Sequence, residues 1–308
     1  MITAESTQRP GTARGGLLAR HPLLCYSIIA YAATWLVWLP LVLSQDGLGV
    51  LPFRSPLGVL EIGGIATFGP FLGALVVTAA TEGQAGIRRW LRRIALWRVG
   101  LRWYLFVLFG LPLILALGTI AVPGNLASFE PMDPLALLGA YLVSFIWPAF
   151  IIGGPLGEEP GWRGFALPRL QRQYGPFVGT LILAPLWTFW HVPVWLTAWT
   201  AAGMLNVYNV VLYFLFITAW TFVYTWIFNN TRGSVLMAML VHASVDAFPN
   251  FVLWPLLSAS LAVTDYGVYF GYYGMVLGLG IVALLIVALT RGELGYQRYR
   301  QEAGEVCM

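Results

Sequence analysis

The chain contains no lysine, although it is 308 residues long, and all 17 of its basic side chains are arginines. Charged residues of either sign make up 10% of the chain, whereas a soluble globular domain carries about 25%. Because 59% of the residues are hydrophobic, so little charge excludes an ordinary soluble domain and predicts an integral membrane protein. The net charge of +4 does not indicate nucleic-acid binding, since the arginines lie in short segments between apolar runs.

Cysteine is almost as scarce as lysine. The two cysteines, Cys25 and Cys307, lie near opposite ends of the chain, so neither a disulfide framework nor a cysteine metal cluster is expected. Cys307 precedes only Met308, which excludes a prenylation motif.

Long apolar runs, by contrast, are abundant, and a helix needs about 20 mostly apolar residues to cross a bilayer. Open sheet edges are not tolerated in lipid, so helix is the element that these runs can form. The sequence therefore predicts an all-α fold, a polytopic transmembrane helix bundle with eight spans. The predicted spans are residues 22–44, 57–80, 104–122, 134–157, 177–199, 207–229, 233–257 and 267–290.

The charges between the spans predict the orientation of the bundle. Arginines concentrate in the N-terminal tail 1–21, in every second loop and in the C-terminal tail 291–308. Positively charged loops remain in the cytoplasm, so both tails are expected there, flanking a single membrane domain at 22–290. We expect this domain to lie in a bacterial plasma membrane.

One arginine-rich loop has its own periodicity. Residues 87–103 (IRRWLRRIALWRVGLRW) place five apolar residues on one helical face and most arginines on the other. The pattern predicts an interfacial amphipathic helix on the cytoplasmic leaflet, although a solvated loop with snorkelling arginines would show similar composition.

Apart from Glu61 near the outer end of the second span, where a structural role is expected, six ionisable side chains stand out in or beside predicted spans, where a charge costs about 3 kcal/mol to insert near the bilayer centre. Such groups must pair with each other or line a wet cavity, and they are candidates for a functional site. They lie in three separate stretches: Glu158, Glu159 and Arg163; His191; His242 and Asp246.

Two pairs among them share the spacing of one helical turn. Glu159 and Arg163 are four residues apart, as are His242 and Asp246, so each pair is predicted to share a helix face. Taken singly, a buried histidine or a Glu–Arg pair is commonly structural. Together, carboxylates, imidazoles and a guanidinium suit hydrolysis, in which a carboxylate activates water and polar donors hold an oxyanion.

Three motifs in this order resemble the CPBP family of intramembrane proteases, which includes type II CAAX prenyl endopeptidases and bacteriocin-processing or immunity proteins. EEPGWR matches E-E-x-x-x-R, WTFWH matches an aromatic-x-x-x-His motif, and HASVD matches His-x-x-x-Asn/Asp. The resemblance covers about residues 135–255, the predicted protease core. The family also implies that RGFALPRLQRQYG extends the first motif's helix into the cytoplasm.

The resemblance implies roles for the matching residues. Glu158 and His191 would activate the attacking water, while His242 and residue 246 would stabilise the oxyanion. Glu159 and Arg163 would support these groups.

This chain departs from the family pattern twice. Trp187 stands where the family usually has Phe, which is expected to alter the packing around His191 more than the chemistry. Asp246 stands where the family often has Asn. An ionised carboxylate cannot donate to an oxyanion, so Asp246 must be protonated, orient His242 or bind a metal.

An older interpretation of the family makes the acids and imidazoles zinc ligands, here Glu158, His191 and His242. Zinc does bind His and Glu, but three separated stretches without H-E-x-x-H provide no ligand spacing that favours it. We therefore expect no required cofactor.

The sequence thus predicts an intramembrane endopeptidase that hydrolyses a peptide bond near the cytoplasmic side of the membrane, by water that Glu and His activate. Its partner would be a membrane-associated peptide or protein within the lipid bilayer. Two alternatives remain open: a catalytically idle immunity or scaffolding protein of the same family, and a proton-coupled transporter. The absence of an evident inverted repeat weakens the transporter. The sequence predicts no oligomeric state.

Overall fold

A computed structural model describes residues 16–57, 59–130, 132–146, 154–197, 207–253, 256 and 265–307. In these residues the fold is all-α, as predicted, and contains no strand. The α-helices are α1 Leu17–Arg20, α2 Pro22–Leu43, α3 Val59–Ala66, α4 Gly69–Ile94, α5 Leu101–Leu105, α6 Leu111–Ile120, α7 Pro134–Ile146, α8 Gly154–Gly161, α9 Leu167–Tyr174, α10 Pro176–Trp190, α11 Val192–Trp195, α12 Val207–Asn230, α13 Val235–Phe248, α14 Asp265–Thr290 and α15 Tyr296–Cys307. A 3₁₀ turn at Leu126–Ser128 and three π-helical segments, Phe106–Gly110, Trp162–Ala166 and Pro249–Leu253, complete the described elements.

Among the described residues, five helices are long and apolar enough to cross a membrane, which fits an integral membrane protein. They correspond to the predicted first, second, third, sixth and eighth spans, and extend over Pro22–Leu43, Ile62–Ile94, Leu101–Ile120, Val207–Asn230 and Tyr273–Thr290. Shorter apolar helices stand where the other three spans were predicted: Pro134–Val143, Pro176–Trp190 and Val235–Phe248. The described residues stop soon after each of these helices, at 146, 197 and 253, so the count of eight spans stays a prediction.

The span predicted at 134–157 is described only in part. The α7 helix extends to Ile146, and the described chain resumes as a helix at Gly154, with residues 147–153 outside the described part. From Gly154 the helix runs through a π segment into α9 and ends at Gly175, whose φ of 79° suits glycine. The helical extension predicted after the glutamates is therefore confirmed.

The predicted amphipathic helix at 87–103 is confirmed only in its first half. The helix ends at Ile94, and the chain is not helical again until Leu101. Trp97 therefore lies outside that helix and is 61% exposed, whereas Trp90 is buried. The apolar periodicity of the sequence continues beyond Ile94, although the residues between Ile94 and Leu101 form a connecting segment.

The α13 helix lies at the centre of the bundle and packs against α6, α7, α8 and α12. Ser234 begins it as an N-cap and accepts the Met237 backbone N–H at 3.0 Å. Because α8 and α12 both contact α13, residues from three distant parts of the sequence meet there.

Candidate active site

The first motif sits on a helix that approaches α4 very closely. A Cβ on Gly157 would lie 2.6 Å from the Thr67 carbonyl oxygen, and one on Gly161 would lie 2.5 Å from that of Pro70. Such contacts leave no room for a side chain, so glycine is required at both positions. This packing fixes the face on which the intervening glutamates point.

The two adjacent glutamates are both buried, with Glu158 4% exposed and Glu159 fully buried. Their contacts differ completely. Glu158 accepts a hydrogen bond from the indole N–H of Trp187, with 2.8 Å between Nε1 and Oε2. We call Glu158, Trp187 and His191 the Glu158 cluster.

His191 lies at a break in its span, between α10 and α11. Pro193 has no backbone N–H and its ring clashes with the carbonyl four residues earlier, so the α-helix cannot continue through it. The ring Nδ1 of His191 lies 2.8 Å from the Trp187 carbonyl oxygen. A carbonyl can only accept, so Nδ1 carries the proton and Nε2 is left as the basic nitrogen.

Glu159 is the anchor of a second set of contacts. Its Oε1 accepts from Arg163 Nη1 at 3.0 Å, from the Tyr224 hydroxyl at 3.2 Å and from His242 Nδ1 at 2.7 Å. The other ring nitrogen of His242 lies 3.2 Å from Asp246 Oδ2. We call these five residues the Glu159 cluster.

Arg163 is fully buried in this cluster and contacts two aromatic rings. Its guanidinium carbon lies 3.9 Å from the Trp187 ring centroid and 3.7 Å from that of Tyr224. Cation–π contacts and the ion pair to Glu159 together offset the cost of burying the guanidinium. Glu159 Oε2 and Arg163 Nη2 are buried without a hydrogen-bond partner among the described residues.

Both ring nitrogens of His242 face carboxylate oxygens. The imidazolium form satisfies both contacts, because both nitrogens then donate. Asp246, whose side chain is 43% exposed, accepts from this ring. Of the three roles left open for Asp246, this geometry favours orienting His242.

Trp187 joins the two clusters. Its ring centroid lies 6.0 Å from that of His191 and 5.7 Å from that of His242, while its N–H bonds to Glu158. Residues of the three motifs therefore come together around Trp187. Trp187 does more than change the packing, contrary to expectation, because Phe could not donate to Glu158.

Sequence reasoning missed Tyr224 as well as the hydrogen bond of Trp187. Tyr224 lies on α12, which carries none of the three motifs, and its ring packs one turn from Trp220. Both rings contact His242, with centroid distances of 5.2 Å for Trp220 and 6.5 Å for Tyr224. An aromatic pair four residues apart in an apolar span was the available signal.

A water-filled cavity at this site stays a prediction. The two cavities described in the structure lie elsewhere, and neither is lined by Glu158, His191 or His242.

The geometry agrees with comparisons to known proteins. Residues 137–248 match the family of type II CAAX prenyl endopeptidase Rce1-like proteins. This match supports the resemblance of that part of the chain to the CPBP family of intramembrane proteases. It is also 28% identical over 94 residues to CAAX prenyl protease 2 from Methanococcus maripaludis. That alignment covers 29% of this chain and 34% of the relative's length, so the match spans about a third of the curated relative.

Proposed function

We propose that this chain is an intramembrane endopeptidase of the CPBP family, which hydrolyses a peptide bond near the cytoplasmic side of the membrane. One observation carries the proposal. A single residue, Trp187, holds a buried carboxylate with its indole and fixes a histidine tautomer with its backbone carbonyl. A carboxylate and a histidine with a basic Nε2, both held by the same tryptophan, are groups that can activate water.

In the proposed reaction, Glu158 and His191 Nε2 take a proton from water as its oxygen attacks the substrate's carbonyl carbon. The carbonyl oxygen becomes an oxyanion, and the positive charge of the His242 imidazolium would stabilise it through space, because both ring N–H groups already donate to carboxylates. The carbon–nitrogen bond then breaks, and the proton held by the site passes to the leaving amine. The products are a carboxylate and an amine, so no further reactant is needed.

The Glu159 cluster would position rather than react. Three donors already converge on one oxygen of Glu159, so this carboxylate is poorly placed to abstract a proton. It would hold His242 and Arg163 in fixed positions behind the reacting groups. Glu158 has a single described donor and is the better base.

The described residues do not fit the zinc site that the family's older interpretation implies. His242 has a carboxylate against each ring nitrogen, so neither nitrogen presents a lone pair to a metal. Among the described residues, no group of three His, Cys, Asp or Glu side chains is arranged to hold a metal ion. We therefore route no step of the reaction through a metal.

The test is cleavage by the purified full chain in liposomes. Two membrane-anchored peptides would be compared, one ending in a prenylated C-a-a-X sequence and one with an unmodified transmembrane anchor. We expect cleavage of at least one, lost in Glu158→Gln, whose amide keeps the size of the side chain but cannot take a proton. An active Glu158→Gln enzyme would overturn the proposal. Absence of cleavage across a broad set of membrane peptides would favour the idle scaffolding protein.

Orientation needs its own test, because the cytoplasmic side is inferred from charge alone. Reporter fusions after residues 95 and 172 should report the cytoplasm, and fusions after 125 and 265 the opposite side. A fusion after residue 172 that reports the outside would contradict cleavage at the cytoplasmic leaflet.

A further inference from the structure

A cavity that neither Glu158 nor Glu159 lines lies at the arginine-rich end of the bundle. It is a cavity of about 590 Å³ between the end of α4, the helix that follows the first motif, and α15. Five arginines line it: Arg89, Arg93, Arg169, Arg172 and Arg300. Glu82 is its single acidic lining residue.

The acid neutralises only part of this charge. Glu82 pairs with Arg89 at 2.9 Å and with Arg169. Among the described ion pairs, none gives Arg93, Arg172 or Arg300 an acidic partner. Burial, with help from Arg172 and Arg93 and against the effect of Glu82, lowers the pKa of Arg169 to about 10. The cavity therefore concentrates positive charge that the described chain does not balance.

Aromatic residues complete the cavity. Trp90, Tyr296 and Tyr299 line it, and such side chains favour the depth where lipid headgroups lie. A guanidinium cluster binds phosphate oxygens in bidentate fashion, more strongly than single surface charges do. The chemistry of the walls thus fits a phosphate ester at the membrane boundary.

An apolar groove continues from this cavity. Gly175 lines both the basic cavity and a neighbouring groove of about 450 Å³. The groove runs along the start of α10 and the end of α14, with Phe177, Val178, Val287 and Ala288 in its walls. A free phosphate would use only the basic cavity, whereas a lipid would use both.

We propose that this composite site binds an anionic phospholipid, with its phosphate among Arg93, Arg172 and Arg300 and an acyl chain in the groove at Ala288. Basic pockets between helices at the cytoplasmic face of membrane proteins are suited to such headgroups. The positive-inside rule places this arginine-rich end on the cytoplasmic side. The site is separate from the proposed catalytic groups and does not depend on their activity.

Binding would be measured on the full chain purified in a neutral detergent, by titration with phosphatidylglycerol, and with phosphatidylcholine of the same chains. The variant Arg172→Gln with Arg300→Gln removes two exposed charges from the cavity. We expect it to weaken phosphatidylglycerol binding by about 10- to 30-fold, since each contact contributes about 1 kcal/mol. Phosphatidylcholine binding should not change.

The matched control is Arg88→Gln with Arg92→Gln, which removes the same charge from exposed positions on α4 that do not line the cavity. It should weaken binding by about threefold at most, because salt screens charges outside the site. Equal losses in both double variants would mean attraction to a basic surface, and would overturn the proposal. An unchanged phosphatidylglycerol affinity in the Arg172→Gln, Arg300→Gln variant would also overturn the proposal.

Two further arms separate a lipid from a soluble phosphate. Glycerophosphoglycerol, which keeps the phosphodiester and its single charge without the chains, should bind more weakly than phosphatidylglycerol. Ala288→Trp fills the groove and should weaken phosphatidylglycerol binding while leaving that of glycerophosphoglycerol unchanged. Equal affinity for the two ligands, or no effect of Ala288→Trp, would contradict the lipid assignment. Monodisperse elution and an unchanged helical circular dichroism spectrum would verify that every variant is folded.

Discussion

Glu158 and Glu159 are neighbours in sequence, yet they anchor clusters of opposite character. The Glu158 cluster is sparse: one indole N–H reaches the carboxylate, and one backbone carbonyl holds His191. The Glu159 cluster is crowded, with three donors on one oxygen and an arginine buried between two rings. A reacting group needs unused lone pairs, whereas a supporting group needs fixed partners. The difference therefore indicates that Glu158 is suited to react and that Glu159 is suited to hold its neighbours in place.

The strongest test of this difference is to replace each glutamate in turn by neutral glutamine. Glu158→Gln should lower the cleavage rate by about 100- to 10,000-fold, the range for losing a general base, with little change in thermal stability. Glu159→Gln should instead lower the free energy of unfolding by about 3–5 kcal/mol, because it leaves Arg163 buried without its partner charge. Cleavage assays and thermal unfolding in detergent would be run on both. If Glu159→Gln left the stability unchanged and Glu158→Gln lowered it, the two carboxylates would not have the roles assigned here.

Trp187→Phe tests the link between the clusters. Phe keeps the ring but cannot donate to Glu158, and a hydrogen bond to a charged group contributes about 1.5–3 kcal/mol. We expect the rate to fall about tenfold or more, with the backbone contact to His191 retained. Trp220→Phe is the matched control, since its ring also contacts His242 but no bond to Glu158 is described. Identical effects of the two variants would mean that Trp187 acts only by packing.

A smaller effect is expected at Asp246. Asn retains an oxygen that can accept from His242 Nε2, so Asp246→Asn should change the rate by less than about tenfold. Asp246→Ala removes the acceptor and should cost more. Rates measured for the three side chains would show whether orientation is the role of this position. A complete loss in Asp246→Asn would indicate that its charge is needed.

The smallest expected effect is that of metal removal. Because His242 presents no lone pair in this arrangement, chelation by EDTA should leave the cleavage rate unchanged. Elemental analysis of the purified protein should find no stoichiometric zinc. About one zinc per chain, lost in His191→Ala, would contradict this and would make Asp246 a plausible neighbour of the metal.

Spacing along one helix was enough to predict some of the site. The pairs Glu159–Arg163 and His242–Asp246 follow from residues four apart, and both contacts are present at 3.0 and 3.2 Å. The membrane class also followed from the long apolar runs and the scarcity of charge. These features depend on local geometry or on the cost of charge in lipid.

Contacts between helices could not be predicted in this way. Adjacent helix positions differ by about 100° of rotation, so the sequence alone does not determine which glutamate faces His242. That choice depends on the close approach of Gly157 and Gly161 to α4, a packing feature without a periodic signature. The role of Trp187 as a donor was missed for the same reason, since its partner is 29 residues away.

The three π-helical segments carry a consequence for how this protein can change in length. One follows the glutamates, one follows His242 and Asp246, and the third, Phe106–Gly110, meets α13 where Ser244 donates to the Val107 carbonyl. A π turn contains one residue more than an α turn, so a single deletion there can restore a regular helix. The side chains that follow the deletion would then rotate by about 100° around the helix axis relative to those before it. After a deletion within Trp162–Ala166, Arg169 and Arg172 would no longer face Glu82 and α15. Among related proteins, substitutions near the site should therefore be tolerated more readily than single-residue deletions.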